Sequence, residues 1–202
     1  ARAIVQAWYG GMEGGAALAA VLFGEVNPSG KLPMTFPAKI EDSPAHALAS
    51  YPDENLLIEH TEGLFVGYRY FDSYDVEPAF AFGHGISYTS FEYSDLSVSQ
   101  GDAGVEVRVR VTNTGSVTGA EVVQLYISDN ESSLPRPAQE LKAFDKVELA
   151  PGESADLTFL LGEDAFSYFD PAQERWVLET GVFTIQVGSS SRDIRTSDKV
   201  EL

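Results

Sequence analysis

The second half of the chain alternates hydrophobic and polar residues with a period of two. In the stretch VEVRVRVT, the side chains of Val105, Val107, Val109 and Val111 alternate with charged or polar ones. This period predicts a strand with one buried and one solvated face. Seven other runs have strand character: FEYSDLSVS, AEVVQLYISD, KAFDKVELA, SADLTFLLG, FSYFD, RWVLE and GVFTIQVGSS. Residues 92–202 are therefore predicted to form an all-β sandwich of fibronectin type III or immunoglobulin shape.

The first 40 residues have a different, α/β pattern. AIVQAW (residues 3–8) predicts a short buried strand, and the glycine-rich turn YGGMEGG follows it. Residues 13–23 are rich in alanine and leucine, which predicts a helix that ends at Gly24. One strand and one helix cannot bury both faces of a sheet, so we expect residues 1–40 to be the end of a larger α/β domain.

Residues 41–91 show little periodicity, yet they are dense in aromatic side chains. Such a density argues against disorder, and an irregular stretch of this length is usually functional or packed against another domain. We therefore predict an ordered, extended arm between the α/β segment and the sandwich.

Composition narrows the classes of function. The chain has 202 residues, with 31 acidic and 13 basic side chains and a formal net charge of −18. That charge disfavours binding to nucleic acid or to an anionic membrane surface. No apolar run approaches the ~20 residues of a membrane span. The absence of cysteine excludes thiolate chemistry and cross-sheet disulfides, which favours the fibronectin-like sandwich. The three histidines lack metal-ligand spacing, so neither a metal nor a cofactor is expected.

Glu13 is a candidate acid or base because it lies among four glycines at the start of the predicted helix. The alternative is that its carboxylate complements the helix dipole and caps free N–H groups, with Gly10, Gly14 and Gly15 shaping a tight turn. The glycine spacing matches no phosphate-binding motif. Trp8 is expected in a core or between domains, and Trp176 in the core of the sandwich.

Four ordered motifs give the chain a family resemblance. AWYGGMEGG with NPSGKLPMTFP, EGLFVGYRYFD, PAFAFGHGISYTSFEYSDLSV and LPRPAQELKAFDKVELAPGES resemble the C-terminal region of glycoside hydrolase family 3. The resemblance covers essentially the whole chain. It implies the end of an α/β-sandwich domain at residues 1–40, a linker arm at 41–91 and a fibronectin type III-like domain at 92–202.

The resemblance implies a retaining β-glucosidase that hydrolyses terminal non-reducing β-D-glucosyl residues with two carboxylates. In the family, both carboxylates lie on segments that precede the AWYPG-like turn, so no catalytic residue is expected in this chain. Trp8, Gly10, Glu13, Gly14 and Gly15 then form a structural motif.

The arm supplies the candidate binding residues. Tyr68, Arg69, Tyr70 and Asp72 belong to the motif that resembles the family's arm, which runs towards the C-terminal module. They are expected to support the architecture near the cleft or, alternatively, to contact sugar directly.

The resemblance also sets the expected partners and the alternatives. The partners are the barrel and the rest of the α/β-sandwich domain of the same enzyme, and a β-glucoside or oligosaccharide substrate; homo-oligomerisation stays open. A β-xylosidase or exo-glucanase of the same family is the alternative activity. A non-catalytic module that binds carbohydrate or protein is the alternative class. A periplasmic or secreted location is favoured over the cytoplasm, although no signal segment is visible.

Overall fold

The structure is a computed structural model that describes residues 3–48, 51 and 57–202. Before the sandwich come α1 (Gly14–Leu22), β1 (Phe36–Pro37), a 3-10 turn (Ile40–Asp42), α2 (Pro44–Ala47), α3 (Tyr68–Ser73) and β2 (Pro78–Phe80). The sandwich region contains β3 (Phe91–Gly101), β4 (Gly104–Asn113), β5 (Gly119–Asp129), β6 (Glu140–Leu149), β7 (Ser154–Leu161), a 3-10 turn (Glu163–Ala165), β8 (Ser167–Asp170), β9 (Arg175–Leu178), β10 (Val182–Ser190) and β11 (Asp193–Glu201).

Two antiparallel sheets enclose the core. One has the strand order β3-β4-β7 and the other the order β11-β10-β5-β6. The four alternating valines of β4 are buried, as their period predicts, and they belong to one cluster with the inward side chains of β5 and β10. That cluster includes Val123, Leu125, Ile127, Phe183, Ile185 and Val187. The mixed fold, an α/β segment followed by an arm and an all-β sandwich, is confirmed.

Two details of the sandwich differ from the sequence prediction. Strand β11 was not predicted, because its residues are mostly polar or charged and it pairs only with β10 at the edge of its sheet. Trp176 was expected in the core, and this is wrong: its side chain is 69% exposed. It lies on the β8–β9 hairpin, which is a separate two-stranded sheet, and its ring packs edge-on against Phe169 of the facing strand.

The arm covers the outer face of the four-stranded sheet. Tyr126 points away from the sandwich core and is still fully buried, because Tyr68 packs against it edge-on and also stacks on Phe82. The arm contains a regular element that its lack of period did not predict, the short helix α3. Both faces of β5 are consequently buried along most of the strand.

The N-terminal segment matches its prediction in part. Helix α1 lies within one residue of the predicted bounds, and Gly24 follows it with φ of +78°. The predicted strand at residues 3–8 is not formed, because a strand requires a pairing partner and the described part of the chain supplies none there. Ile4, Val5 and Met12 are exposed. Among the described residues, no helix is long and apolar enough to cross a membrane.

Candidate functional site

Asp72 is the most constrained carboxylate of the arm. It lies in the last turn of α3, where Oδ1 accepts a 2.6 Å hydrogen bond from Nε of Arg192 and Oδ2 accepts a 2.8 Å bond from Nε2 of Gln139. Burial raises the pKa of Asp72, and the bonds from Gln139 and Arg192 oppose that rise without cancelling it. The carboxylate is thus engaged through both oxygens and removed from bulk water.

Besides binding Asp72, Arg192 binds backbone carbonyls at the end of α3. It lies in the turn between β10 and β11, and its guanidinium donates to the carbonyl oxygens of Phe71 at 2.8 Å and Val76 at 3.2 Å. Carbonyls at a helix end have no partner within the helix, so a guanidinium is a favourable donor for them. A single side chain of the last hairpin therefore anchors the arm.

The other three candidate residues of the arm also make contacts within the chain. The hydroxyl of Tyr68 accepts a 2.8 Å hydrogen bond from the backbone N–H of Leu141, at the start of β6. Arg69 forms a 3.1 Å ion pair with Glu140. Tyr70 is buried, and its ring contacts Phe71 on the same helix and Tyr74 at the helix C-cap.

At the start of β6, Glu140 forms ion pairs with three cationic side chains: Arg69, Arg136 and Lys142. Burial alone would raise the pKa of Glu140, but the hydrogen bond from Arg136 and the charges of Lys142 and Arg69 outweigh it. The pKa of this carboxyl is therefore lower than its usual 4.5. Arg136 also pairs with Asp129 at 3.0 Å, which ties β5 and β6 to the arm through one charge network.

A pocket of about 390 Å³ lies beside the arm, on the outer face of the four-stranded sheet. Its lining is mostly polar and comes from five places in the sequence: α3, β5, the segment before β6, β10 and the β10–β11 hairpin. The lining residues are Asp72, Ser128, Ala138, Gln139, Gln186, Ser191, Arg192 and Ile194.

A second polar group joins the NPSGK motif to the sandwich. Nζ of Lys31 lies 2.8 Å from Oε1 of Glu121 on β5 and also donates to the carbonyl of Gly85. The side chains of Lys31 and Glu121 are only 12% and 8% exposed. Asn27 donates to the carbonyl of Thr118 and accepts from the backbone N–H of Tyr88. This motif therefore forms a joint between the α/β segment and strand β5 of the four-stranded sheet.

The glycine turn contains no assembled acid or base. Glu13 occupies the N-cap position of α1, outside the first helical turn, and its side chain makes no capping hydrogen bond. The expected capping role is therefore wrong. A Cβ atom on Gly10 would lie 2.8 Å from Cα of Gly14, so these two glycines permit a close backbone approach. Trp8 is half exposed, and its ring packs edge-on against Phe36.

The described part of the chain holds no group of three His, Asp or Glu side chains that could bind a metal ion. Sequence reasoning did not identify Arg192, Gln139, Gln186 or Glu121 as contact residues. Each acts with a partner at least 52 positions away in the sequence, so no local signal marks it. Lys31 lies in the motif NPSGKLPMTFP, but the sequence alone does not indicate its partner Glu121.

The fold and the joint define a class: the end of an α/β domain that carries a fibronectin type III-like sandwich on a docked arm. Residues 1–88 match the glycosyl hydrolase family 3 C-terminal domain, and residues 121–191 match the fibronectin type III-like domain. The chain belongs to glycoside hydrolase family 3, to the C-terminal region of that family.

Similar proteins support this assignment. The chain is 48% identical over 205 residues to thermostable β-glucosidase B of Acetivibrio thermocellus, and 48% identical over 198 residues to a β-glucosidase of Bacteroides ovatus. These alignments cover 100% and 95% of the chain, but 27% and 26% of those relatives. The chain thus spans about a quarter of the length of these relatives.

A solved structure shares the fold. The structure of β-glucosidase 3B from Thermotoga neapolitana in complex with α-D-glucose superposes with a TM-score of 0.89 at 43% identity. The match covers 96% of this chain and 27% of that one.

Proposed function

We propose that this chain is the C-terminal part of a retaining β-glucosidase that releases terminal non-reducing β-D-glucosyl residues. The observation that carries the proposal is the match of the whole chain, at 48% identity, to a β-glucosidase of Acetivibrio thermocellus. In this proposal, residues 1–40 complete an α/β-sandwich domain, residues 41–91 are the linker arm and residues 92–202 are the fibronectin type III-like domain.

The catalytic carboxylates belong, in this proposal, to segments outside the chain. A retaining glycosidase needs two carboxyl groups about 5–5.5 Å apart on either side of the scissile bond. Asp72, Glu121 and Glu140, three carboxylates with little solvent exposure, are each paired with an arginine or lysine, which supports a structural role for them. Glu13 lies exposed on the turn before α1, and its side chain makes no capping hydrogen bond.

The chain's own contribution is to hold the arm and the joint in a fixed geometry. Tyr68, Arg69, Tyr70 and Asp72 all make contacts with residues of this chain, which favours the supporting role over direct contact with substrate. The partners are the remaining part of the same enzyme and a β-glucoside or oligosaccharide. Exposed apolar residues near the glycine turn, such as Ile4, Val5 and Met12, fit a surface that packs against the rest of its domain.

The activity of the intact polypeptide that carries this chain tests the proposal. We expect it to hydrolyse an aryl β-glucoside faster than the matching β-xyloside, and proton NMR should detect the β-anomer of glucose as the first product. The purified 202-residue chain should be inactive on both substrates. Hydrolysis by the chain alone, or an α-anomer as first product, would contradict the proposal.

A further inference from the structure

The pocket beside the arm has the size of a small-molecule site. Its volume is about 390 Å³, but it is a shallow depression that is widely open to solvent, with room for about one six-membered sugar ring. It opens on the outer face of the four-stranded sheet, between α3 and the hairpin that carries Arg192. Two of its polar residues, Gln139 and Ser191, are more than nine-tenths buried.

The hydrogen bonds around the pocket fix the direction of its polar groups. Nε2 of Gln186 donates a 2.6 Å bond to Oγ of Ser128, so the hydroxyl hydrogen of Ser128 stays available as a donor. Nε2 of Gln139 donates to Asp72 at 2.8 Å and to the carbonyl of Ser191 at 2.7 Å. The side-chain carbonyl oxygens of Gln139 and Gln186 accept no hydrogen bond from any described residue, so both remain acceptors.

Charge and shape restrict the class of ligand. The carboxylate of Asp72 is compensated by Arg192, so the lining presents no uncompensated ion. A net charge of −18 on the chain also repels anions. The remaining groups are two amide acceptors, a hydroxyl donor and the apolar surface of Ile194. Two acceptors and one donor beside an apolar surface match the hydroxyls and C–H groups of a neutral sugar.

We propose that this pocket binds a single neutral monosaccharide unit through Ser128, Gln139 and Gln186. The choice of D-glucose as the probe rests on the proposed function, whereas the class of a neutral polyol rests on the lining alone. Asp72 and Arg192 act as positioning residues, because they hold α3 over the pocket and orient the amide of Gln139.

Two-dimensional amide NMR of the full 202-residue chain, titrated with D-glucose, tests the proposal. We expect saturable shifts at the amides of residues 128, 139, 186 and 191. Gln186→Leu removes an acceptor and should weaken binding about tenfold, which corresponds to 1.4 kcal/mol. Ser128→Ala is a second, smaller change that should weaken binding in the same direction. Thr184→Val, on the same strand but bonded to Asn130 outside the pocket, is the matched control.

Each outcome decides the proposal. Glucose binding that both pocket variants weaken and Thr184→Val retains would support it, as would weaker binding of glucose 6-phosphate. Absent shifts at millimolar glucose, equal binding of glucose 6-phosphate, or unchanged affinity in both pocket variants would overturn it. Hydrolysis of an aryl β-glucoside by the intact enzyme is a separate readout, so the pocket and the proposed function can fail independently.

Discussion

At the scale of single residues, the pair Lys31–Glu121 is the strongest test of the joint. Removing one partner leaves a buried charge without compensation, which typically costs about 3–5 kcal/mol. Lys31 keeps a little exposure, so we expect Lys31→Met to lower the free energy of unfolding by about 3 kcal/mol. The double variant Lys31→Met/Glu121→Leu should recover part of that loss. Urea unfolding of the chain measures both.

The matched control is an exposed ion pair of similar length. Arg108 and Glu106 also lie 2.8 Å apart, but their side chains are 61% and 37% exposed. Exposed pairs contribute about 0–1 kcal/mol, so Arg108→Met should change the free energy of unfolding by less than about 1 kcal/mol. Equal losses in Lys31→Met and Arg108→Met would show that burial of the joint pair has no energetic consequence.

The pKa of Glu140 gives a pH dependence of known sign. Its folded-state pKa is lowered, so the folded state favours the ionised form and Glu140 stabilises the fold fully above the ordinary value of 4.5. That contribution is lost as the pH falls below 4.5 towards the lowered folded-state pKa. Glu140→Gln should therefore reduce the loss of stability between neutral pH and pH ~3, measured by urea midpoints. Glu148→Gln, exposed on the same strand, is the control; an identical acid dependence in wild type and Glu140→Gln would refute the assignment.

At the scale of elements, helix α3 depends on a residue from another element. Arg192 bonds Asp72 and two carbonyls at the end of the arm helix. Arg192→Gln should release that end and raise hydrogen exchange at residues 68–76 about tenfold or more. Arg195→Gln is the matched control, since Arg195 lies in the same hairpin and pairs with Asp193 away from α3. Unchanged exchange in Arg192→Gln would mean that the aromatic contacts alone hold the helix.

The turn after β2 has a close contact with β5. Gly83 has φ of +79°, and a Cβ atom there would overlap the side-chain amide of Gln124. Gly152 has a similar φ of +78° with open space around the Cβ position. Positive φ alone costs a non-glycine residue about 1–2 kcal/mol, so Gly152→Ala should lose roughly that amount. Gly83→Ala should lose more, because Gln124 must also move. Thermal unfolding of the two variants measures the difference, and equal losses would exclude the steric contribution.

The sequence predicted the elements of the sandwich better than those of the arm. Alternation identified β4 because a strand with one buried face must repeat every two residues, and Val107 and Val111 are fully buried as expected. The same logic missed β11, where Ile194 and Val200 are separated by five mostly polar residues. It also misplaced Trp176, because alternation does not show that β8 and β9 pair with each other outside the two sheets of the sandwich.

At the scale of the whole molecule, stability is uneven along the chain. Helix α1 contains no buried residue, and Trp8 is half exposed, whereas the sandwich encloses a continuous apolar cluster. In the Trp176→Phe variant, Trp8 is the sole tryptophan. Its fluorescence should change at a lower urea concentration than the far-ultraviolet circular dichroism of the sheets. Coincident transitions by the two probes would show that both regions unfold as one cooperative unit.

For the candidate site, the sequence predicted the segment that carries it but not the residues that contact that segment. The aromatic arm indicated an ordered segment packed on another surface, and Asp72 was named from it. The partners of Asp72 could not be predicted, because Gln139 and Arg192 lie 67 and 120 positions later and carry no periodic signal. Contacts of this kind form only when folding of the sheet brings residues that are distant in sequence next to each other.

The anchoring of the arm by Arg192 has a consequence during synthesis of the protein. The ribosome adds about 5–20 residues per second, so Arg192 is made roughly 6–24 s after Asp72. During that interval the four-stranded sheet is incomplete, because β10 and β11 are still missing, and the aromatic rings of the arm are more open to non-specific contacts. Stalling translation before residue 192 should therefore increase capture of the nascent arm by chaperones.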